Sequence, residues 1–228
     1  MSEWMVRLIG PERDLRLLAE SLQDADCRVI VEAHHSYLCS CDFKRLSEAG
    51  AIKRIAEEIV RRANRAALLR YDGFCHVKTG AVLCVQADGS RGVTVFPPTA
   101  LTCMETHAPE AVGACAVNPR PNLRRDMGVL QQEPALDEAL GYLQSEPNAY
   151  GYYKAFEAIC KAAGGEHELW KRGWATRAEI ERLNDSPQAK RHHVPRRRPK
   201  DPMTLPEMRA VLLRLARRLV QCVSTGKP

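Results

Sequence analysis

A chain of 228 residues, 45% of them hydrophobic, is long enough for one or two compact units with cores of their own. It has no apolar run of bilayer length, its opening MSEWMVRLIGPERD lacks the apolar stretch of a secretory signal, and its nine cysteines are odd in number and scattered; these features exclude membrane spans and a disulfide framework and set the expectation of a cytoplasmic protein with reduced thiols. The formal charge of +6 is unevenly divided, with 14 basic against 15 acidic side chains in residues 1–117 (net −1) and 20 against 13 in residues 118–228 (net +7).

Residues 4–9 alternate enough for a strand, and Pro11 then opens a helix with Leu15, Leu18 and Leu22 at helical spacing. Residues 27–32 and 36–41 predict a hairpin turning at residues 33–35, with Tyr37, Cys39 and Cys41 on one side. A long helix is expected over residues 47–69, with Ile52, Ile55, Ile59 and Ala63 inward and Lys53, Arg54, Glu57, Glu58, Arg61 and Arg62 outward. Residues 80–86 and 92–96 read as strands joined through Ala87-Asp88-Gly89-Ser90, because Asp-Gly supplies the positive φ that hairpin turns need. Residues 101–107 offer one more strand.

From residue 108 to 125 the pattern breaks, with Pro109, Gly113, Pro119 and Pro121, and the domain boundary is placed there, at residue 117. The rest of the chain reads as helix: residues 134–143, then 149–163 with Tyr152, Phe156, Ile159 and Ala163 on one stripe closed by Gly164-Gly165, then 166–172 stopped by Gly173. Thr176-Arg-Ala-Glu179 and Thr204-Leu-Pro-Glu207 are capping boxes, which open a helix through Leu183 and the last helix. In that last helix Leu205, Met208, Leu212, Leu215, Leu219 and Cys222 form a stripe expected to bury against the Tyr152/Phe156/Ile159 helix, leaving Arg209, Arg214, Arg217 and Arg218 nearer solvent. The fold class is therefore α+β: a small N-terminal antiparallel or mixed sheet with two helices (residues 1–117), followed by a basic all-α unit (residues 118–228).

Between the two capped helices the sequence reads KRHHVPRRRPK. Lys190, Arg191, Arg196, Arg197, Arg198 and Lys200 stand there without one acid, and Pro195 and Pro199 favour an extended backbone that keeps them apart. Such a cluster calls for a polyanion, because phosphate binding relieves the repulsion and releases counterions. Nucleic acid, with RNA favoured, is the leading partner; no amphipathic anchor or lipidation motif points to a membrane. His192 and His193 come directly after Arg191, and Arg182 lies on the preceding helix. Neighbouring cations disfavour a protonated imidazole, and a neutral histidine is the form that can take a proton from an RNA 2′-hydroxyl while arginines hold the phosphate. His192, His193 and Arg191 are thus the catalytic candidates for metal-independent RNA cleavage, and Arg182, Lys190, Arg196, Arg197, Arg198 and Lys200 the phosphate ligands.

The run YYKAFEAICKAAGG, then GWATRAEIERL, a polar loop ending in KRHH and the final helix after DPMT together resemble the helix, helix, Arg/His loop, helix layout of HEPN domains, over residues 149–224. The resemblance implies an all-α module of prokaryotic defence and toxin systems that dimerises, or assembles further, and binds or cuts RNA with an Arg and a His. Catalytic members carry Arg, four to six residues, then His, and no arginine stands at that distance before His192 or His193. The chain as a whole also resembles a type of bacterial protein with a strand-rich first part and a helical part carrying GW and RH motifs.

Other chemistries find less support. His34, His35, Cys39 and Cys41 crowd together, but structural zinc sites use Cys pairs with two to four residues between them, whereas Cys-x-Cys in a strand has one and puts both thiols on one packed face. No phosphate-cradling glycine loop and no G-x-S-x-G elbow is present, so neither a metal nor a cofactor is expected. The alternative to the RNA reading is a non-catalytic interaction or assembly protein that docks through its helical unit or a sheet edge.

Overall fold

The computed structural model describes residues 3–71, 73–96, 122–185 and 203–226. The chain divides into two units, residues 1–124 and 125–228.

In the first unit, strands β1 (Glu3–Ile9), β2 (Cys27–Glu32), β3 (His35–Ser40), β4 (Lys78–Val85) and β5 (Arg91–Thr94) form one sheet in the order β2-β3-β1-β4-β5. Every pairing is antiparallel. Helices α1 (Glu12–Ser21) and α2 (Ala49–Arg70) fill the crossovers from β1 to β2 and from β3 to β4. This is the split βαβ arrangement of ferredoxin-like domains with one hairpin strand added, and right-handed crossovers put both helices on one face. Val6, Leu8, Leu38 and Val82 project on that face and are almost completely buried, each contributing about 1.5–3 kcal/mol.

The buried stripe of α2 is rotated from the expected one: Ile52, Ala56, Val60, Ala63 and Ala67 are buried, while Ile55 and Ile59 are half-buried. The reason is a polar residue. Asn64 sits fully buried in α2, donating its amide to the Val77 carbonyl at 2.8 Å and accepting from the Val77 N–H at 3.1 Å. That two-way clamp satisfies the backbone just before β4, and the alanines around it let helix and strand come close.

The opposite face carries a second buried cluster, Met5, Tyr37, Cys39 and Leu83, with Ile30, Ala81 and Val85 against it. Arg28 of β2 donates to Glu3 of β1 at 3.4 Å, and Arg91 of β5 to Glu32 of β2 at 2.9 Å. β2 and β5 are opposite edges, which in a flat sheet stand about 19 Å apart at about 4.8 Å per strand. One side-chain pair spans them only because the sheet coils over this face, and the coil is what buries the cluster.

The β2–β3 hairpin turns on two residues, Ala33 (φ +44°) and His34 (φ +70°), so His35 belongs to the strand. Cys41, expected at the end of that strand, instead begins a 3₁₀ turn, Cys41–Arg45. The Ser40 hydroxyl takes the Asp42 N–H at 3.2 Å and diverts the backbone from the ladder. Gly89 (φ +84°) closes the β4–β5 turn as the Asp-Gly signal predicts, and β5 is exposed along its length. The strand expected at residues 101–107 lies outside the described residues.

The helical part comprises α3 (Asn122–Gln132), α4 (Pro134–Ser145), α5 (Ala149–Ala163), α6 (Glu166–Lys171), α7 (Arg177–Asn184) and α8 (Leu205–Thr225). Helix α3 begins inside the stretch expected to be irregular, and Leu123, Asp126, Val129 and Leu130 are buried at helical spacing. Proline-rich residues before it obscured that period. Asn148 caps α5 by accepting the Gly151 N–H at 2.9 Å, and Gly164 (φ +90°) ends it. Tyr152, Phe156, Ile159 and Ala163 are buried, and α8 packs on α5 and α4 with Met208, Leu212, Leu215 and Leu219 inward. Leu205 departs from the expected stripe at 41% exposure, because it stands at the first helical position, ahead of the packed turns. Among the described residues no helix is long and apolar enough to cross a membrane.

Candidate nucleic-acid interface

Lys190, Arg191, His192, His193, Arg196, Arg197, Arg198 and Lys200 all lie outside the described residues, whereas both flanks of their segment are described. Helix α7 leads into it and α8 comes after it. The two helices are joined by two ion pairs: Arg214 of α8 donates to Glu179 of α7 at 2.7 Å, and Arg182 of α7 stands 3.6 Å from the Glu207 carboxylate of α8. Arg182, a candidate phosphate ligand, therefore has a carboxylate partner within the fold.

Both carboxylates also cap helices. Glu179 accepts from the Thr176 N–H at 2.9 Å while the Thr176 hydroxyl accepts the Glu179 N–H at 3.1 Å; Glu207 and Thr204 repeat the exchange at 2.7 and 3.4 Å. Burial alone would raise the Glu179 carboxyl, but the Thr176 amide and the Arg214 guanidinium outweigh it and hold the group below its ordinary value. The Thr204 amide and hydroxyl, with Arg182 beyond them, do the same for Glu207.

A second feature precedes α7. Gly173 (φ +67°) reverses the chain after α6, and the Trp174 N–H donates to the Leu169 carbonyl at 2.9 Å, turning the two tryptophans onto one surface. The Arg177 guanidinium lies 4.1 Å above the Trp170 ring, Arg172 lies 5.0 Å from the Trp174 ring, and His167 meets Trp170 edge-on at 5.3 Å. Trp170, Gly173, Trp174, Arg177, Glu179 and Arg214 line an open notch of about 470 Å³. Trp170 is 39% exposed. The reading centred on residues 190–200 passes over these residues, although the run HELWKRGWATR carries their signal, two indoles and three cationic side chains within eleven positions.

The His/Cys group near residue 35 is dispersed: His34 is in the turn, His35 Nδ1 is 3.2 Å from Arg7, Cys39 is in the coiled sheet and Cys41 in the 3₁₀ turn. Among the described residues no three His, Cys, Asp or Glu side chains are grouped to hold a metal ion. Burial pushes the Cys27 thiol up to about 11 and the Cys160 thiol up to about 12, which keeps both protonated and unreactive at neutral pH. Split βαβ sheets that read RNA stack bases on exposed aromatics of the two central strands. Here those positions hold Met5, Arg7, His35, Tyr37 and Cys39; Tyr37 is 6% exposed, and His35, the exposed ring among them, stands with Nδ1 3.2 Å from the Arg7 guanidinium. The two indoles with cationic neighbours are on the helical unit. In comparisons with family models, curated proteins and solved structures, none matches the chain.

Proposed function

We propose that the chain binds single-stranded RNA through its helical unit, with the cations of residues 190–200 as the phosphate contacts. One observation carries this reading. Of the net +7 in residues 118–228, the six cations of residues 190–200 supply all but one, and that segment is tethered at both ends to helices joined by the Glu179–Arg214 and Arg182–Glu207 pairs. The six cations fall within eleven consecutive positions, 190–200, without one acid among them. The concentrated potential is what a phosphate chain relieves. The helical frame without the segment is nearly neutral, so the attraction to a polyanion belongs to the segment. RNA cleavage by His192 and His193, with Arg191 steadying the phosphate, and membership of a prokaryotic defence or toxin system extend this reading through the resemblance to HEPN domains.

The test is retention of a labelled single-stranded RNA between 50 and 200 mM salt. Each phosphate contact contributes a slope of about −0.7 in log K against log salt, so replacing Arg196, Arg197 and Arg198 by Gln should flatten the slope by about 2. No retention by the intact protein at low salt would overturn the proposal in favour of an assembly protein. Cleavage is judged in the same tubes: RNA patterns identical for the intact protein and the His192→Ala/His193→Ala variant, with EDTA present, would remove it.

A further inference from the structure

We infer that the notch beside Trp170 and Trp174 is a stacking site for an unpaired RNA base; the inference rests on the RNA-binding reading of the same unit. The notch is close to neutral despite its arginines. Arg214 is paired with Glu179 at 2.7 Å and Arg172 with Glu168 at 3.5 Å, while the described partner of Arg177 is an indole rather than a carboxylate. At the helix start beneath it the Thr176/Glu179 capping box already engages the Thr176 and Glu179 amides. The notch thus presents flat indole and guanidinium surfaces beside a paired Arg214, which suits a flat ring.

The flat surfaces are fixed in place. The Arg177 guanidinium covers Trp170 at 4.1 Å, and the Arg172 guanidinium lies 5.0 Å from the Trp174 ring. Stacking on indole or guanidinium needs a π face and no particular base edge, which is the sequence-tolerant recognition that single strands undergo. The volume of about 470 Å³ falls within the roughly 300–1,000 Å³ of small-ligand clefts and admits a nucleotide. The two features divide the labour: residues 190–200 attract the backbone, and the notch distinguishes a strand with free bases from a duplex or any other polyanion. A proline-rich peptide also favours aromatic grooves, but the net +7 of residues 118–228 selects the polyanion.

The experiment compares a single-stranded RNA decamer with an abasic decamer of the same sugar-phosphate backbone, binding each to the full chain at one salt concentration. The decamer with bases should bind about tenfold or more tightly than the abasic one, from the measured worth of a single stacked base. Trp170→Ala, at an exposed side chain, should bring that ratio towards one while leaving abasic affinity unchanged. Arg177→Ala makes the same test should the tryptophan variant not fold, and Trp174→Phe, which keeps a ring, should retain most of the ratio. Equal binding of the two decamers to the intact protein would overturn the stacking site and leave phosphate binding standing. Failure of both decamers to bind would overturn both, as would binding of a Pro-x-x-Pro peptide in place of RNA.

Discussion

At Gly151 the first turn of α5 runs so close to residue 146 that an added Cβ would stand 2.1 Å from the Glu146 carbonyl oxygen and 2.4 Å from its Cβ. Helix propensity alone favours alanine over glycine by about 1 kcal/mol, yet a clash with backbone cannot be relieved by a side-chain rotation. Overpacking of this kind costs about 1–3 kcal/mol, so Gly151→Ala should lower the urea midpoint. Gly128, within α3, has nothing among the described residues within 4 Å of the same virtual atom, and Gly128→Ala should raise stability by about 0.5–1 kcal/mol. A rise in stability in both variants would show that propensity rather than contact governs these positions. Residues of this type are illegible in the sequence because their partners are set by tertiary approach. The same holds for Asp14, buried on α1 with one carboxylate oxygen taking the Cys75 N–H at 2.9 Å from 61 positions away, and for Asn64, whose clamp on Val77 rotated the face of α2.

Elements were legible where the signal is local. The two capping boxes, the Asp-Gly turn and the stripe of α5 depend on residues a few positions apart, and each stands where the spacing puts it. The 3₁₀ turn at Cys41–Arg45 and the start of α3 were missed because one hydroxyl and a cluster of prolines outweigh periodicity there. The caps carry a pH prediction. Glu179 and Glu207 are both held below their ordinary values in the folded chain, so the stabilisation they give is complete above the unfolded carboxylate pKa and is lost as pH falls through the folded one. The helical unit should therefore lose denaturant resistance between about pH 5 and 3. Glu179→Gln should already be weaker at pH 7 and should show a shallower acid dependence, and Thr176→Ala should cost about 1 kcal/mol. A parallel acid profile for Glu179→Gln and the parent would refute the assignment.

For the whole molecule, the division of charge and the division of structure fall in the same region of the chain. Residues 1–117 are net −1 and hold a coiled sheet whose Tyr37 ring is buried on the second face, whereas residues 118–228 are net +7 and hold the notch. Each unit has buried leucines and isoleucines of its own, among them Leu18, Leu38 and Ile52 in one and Leu136, Leu140 and Ile159 in the other. A fragment of residues 122–228 should keep its helical circular dichroism, unfold cooperatively and bind single-stranded RNA within about threefold of the full chain, while residues 1–96 should not bind. Binding by the N-terminal fragment alone would reverse the assignment of the units. The candidate site was legible only in part: the cations of residues 190–200 stand out by composition, but the notch depends on Gly173 turning two indoles onto one surface, and no spacing rule announces that.

The turn at Ala33 and His34 bears on how this chain tolerates change. Both residues stand at positive φ, where an L side chain crowds its own backbone, while Asn-Gly would occupy the same two-residue turn without strain. The N-terminal unit thus holds an unused reserve of stability in a surface loop, one that drift could draw upon to absorb a harmful substitution elsewhere in the sheet. A lineage in which this pair has become Asn-Gly would be expected to carry a less perfect core.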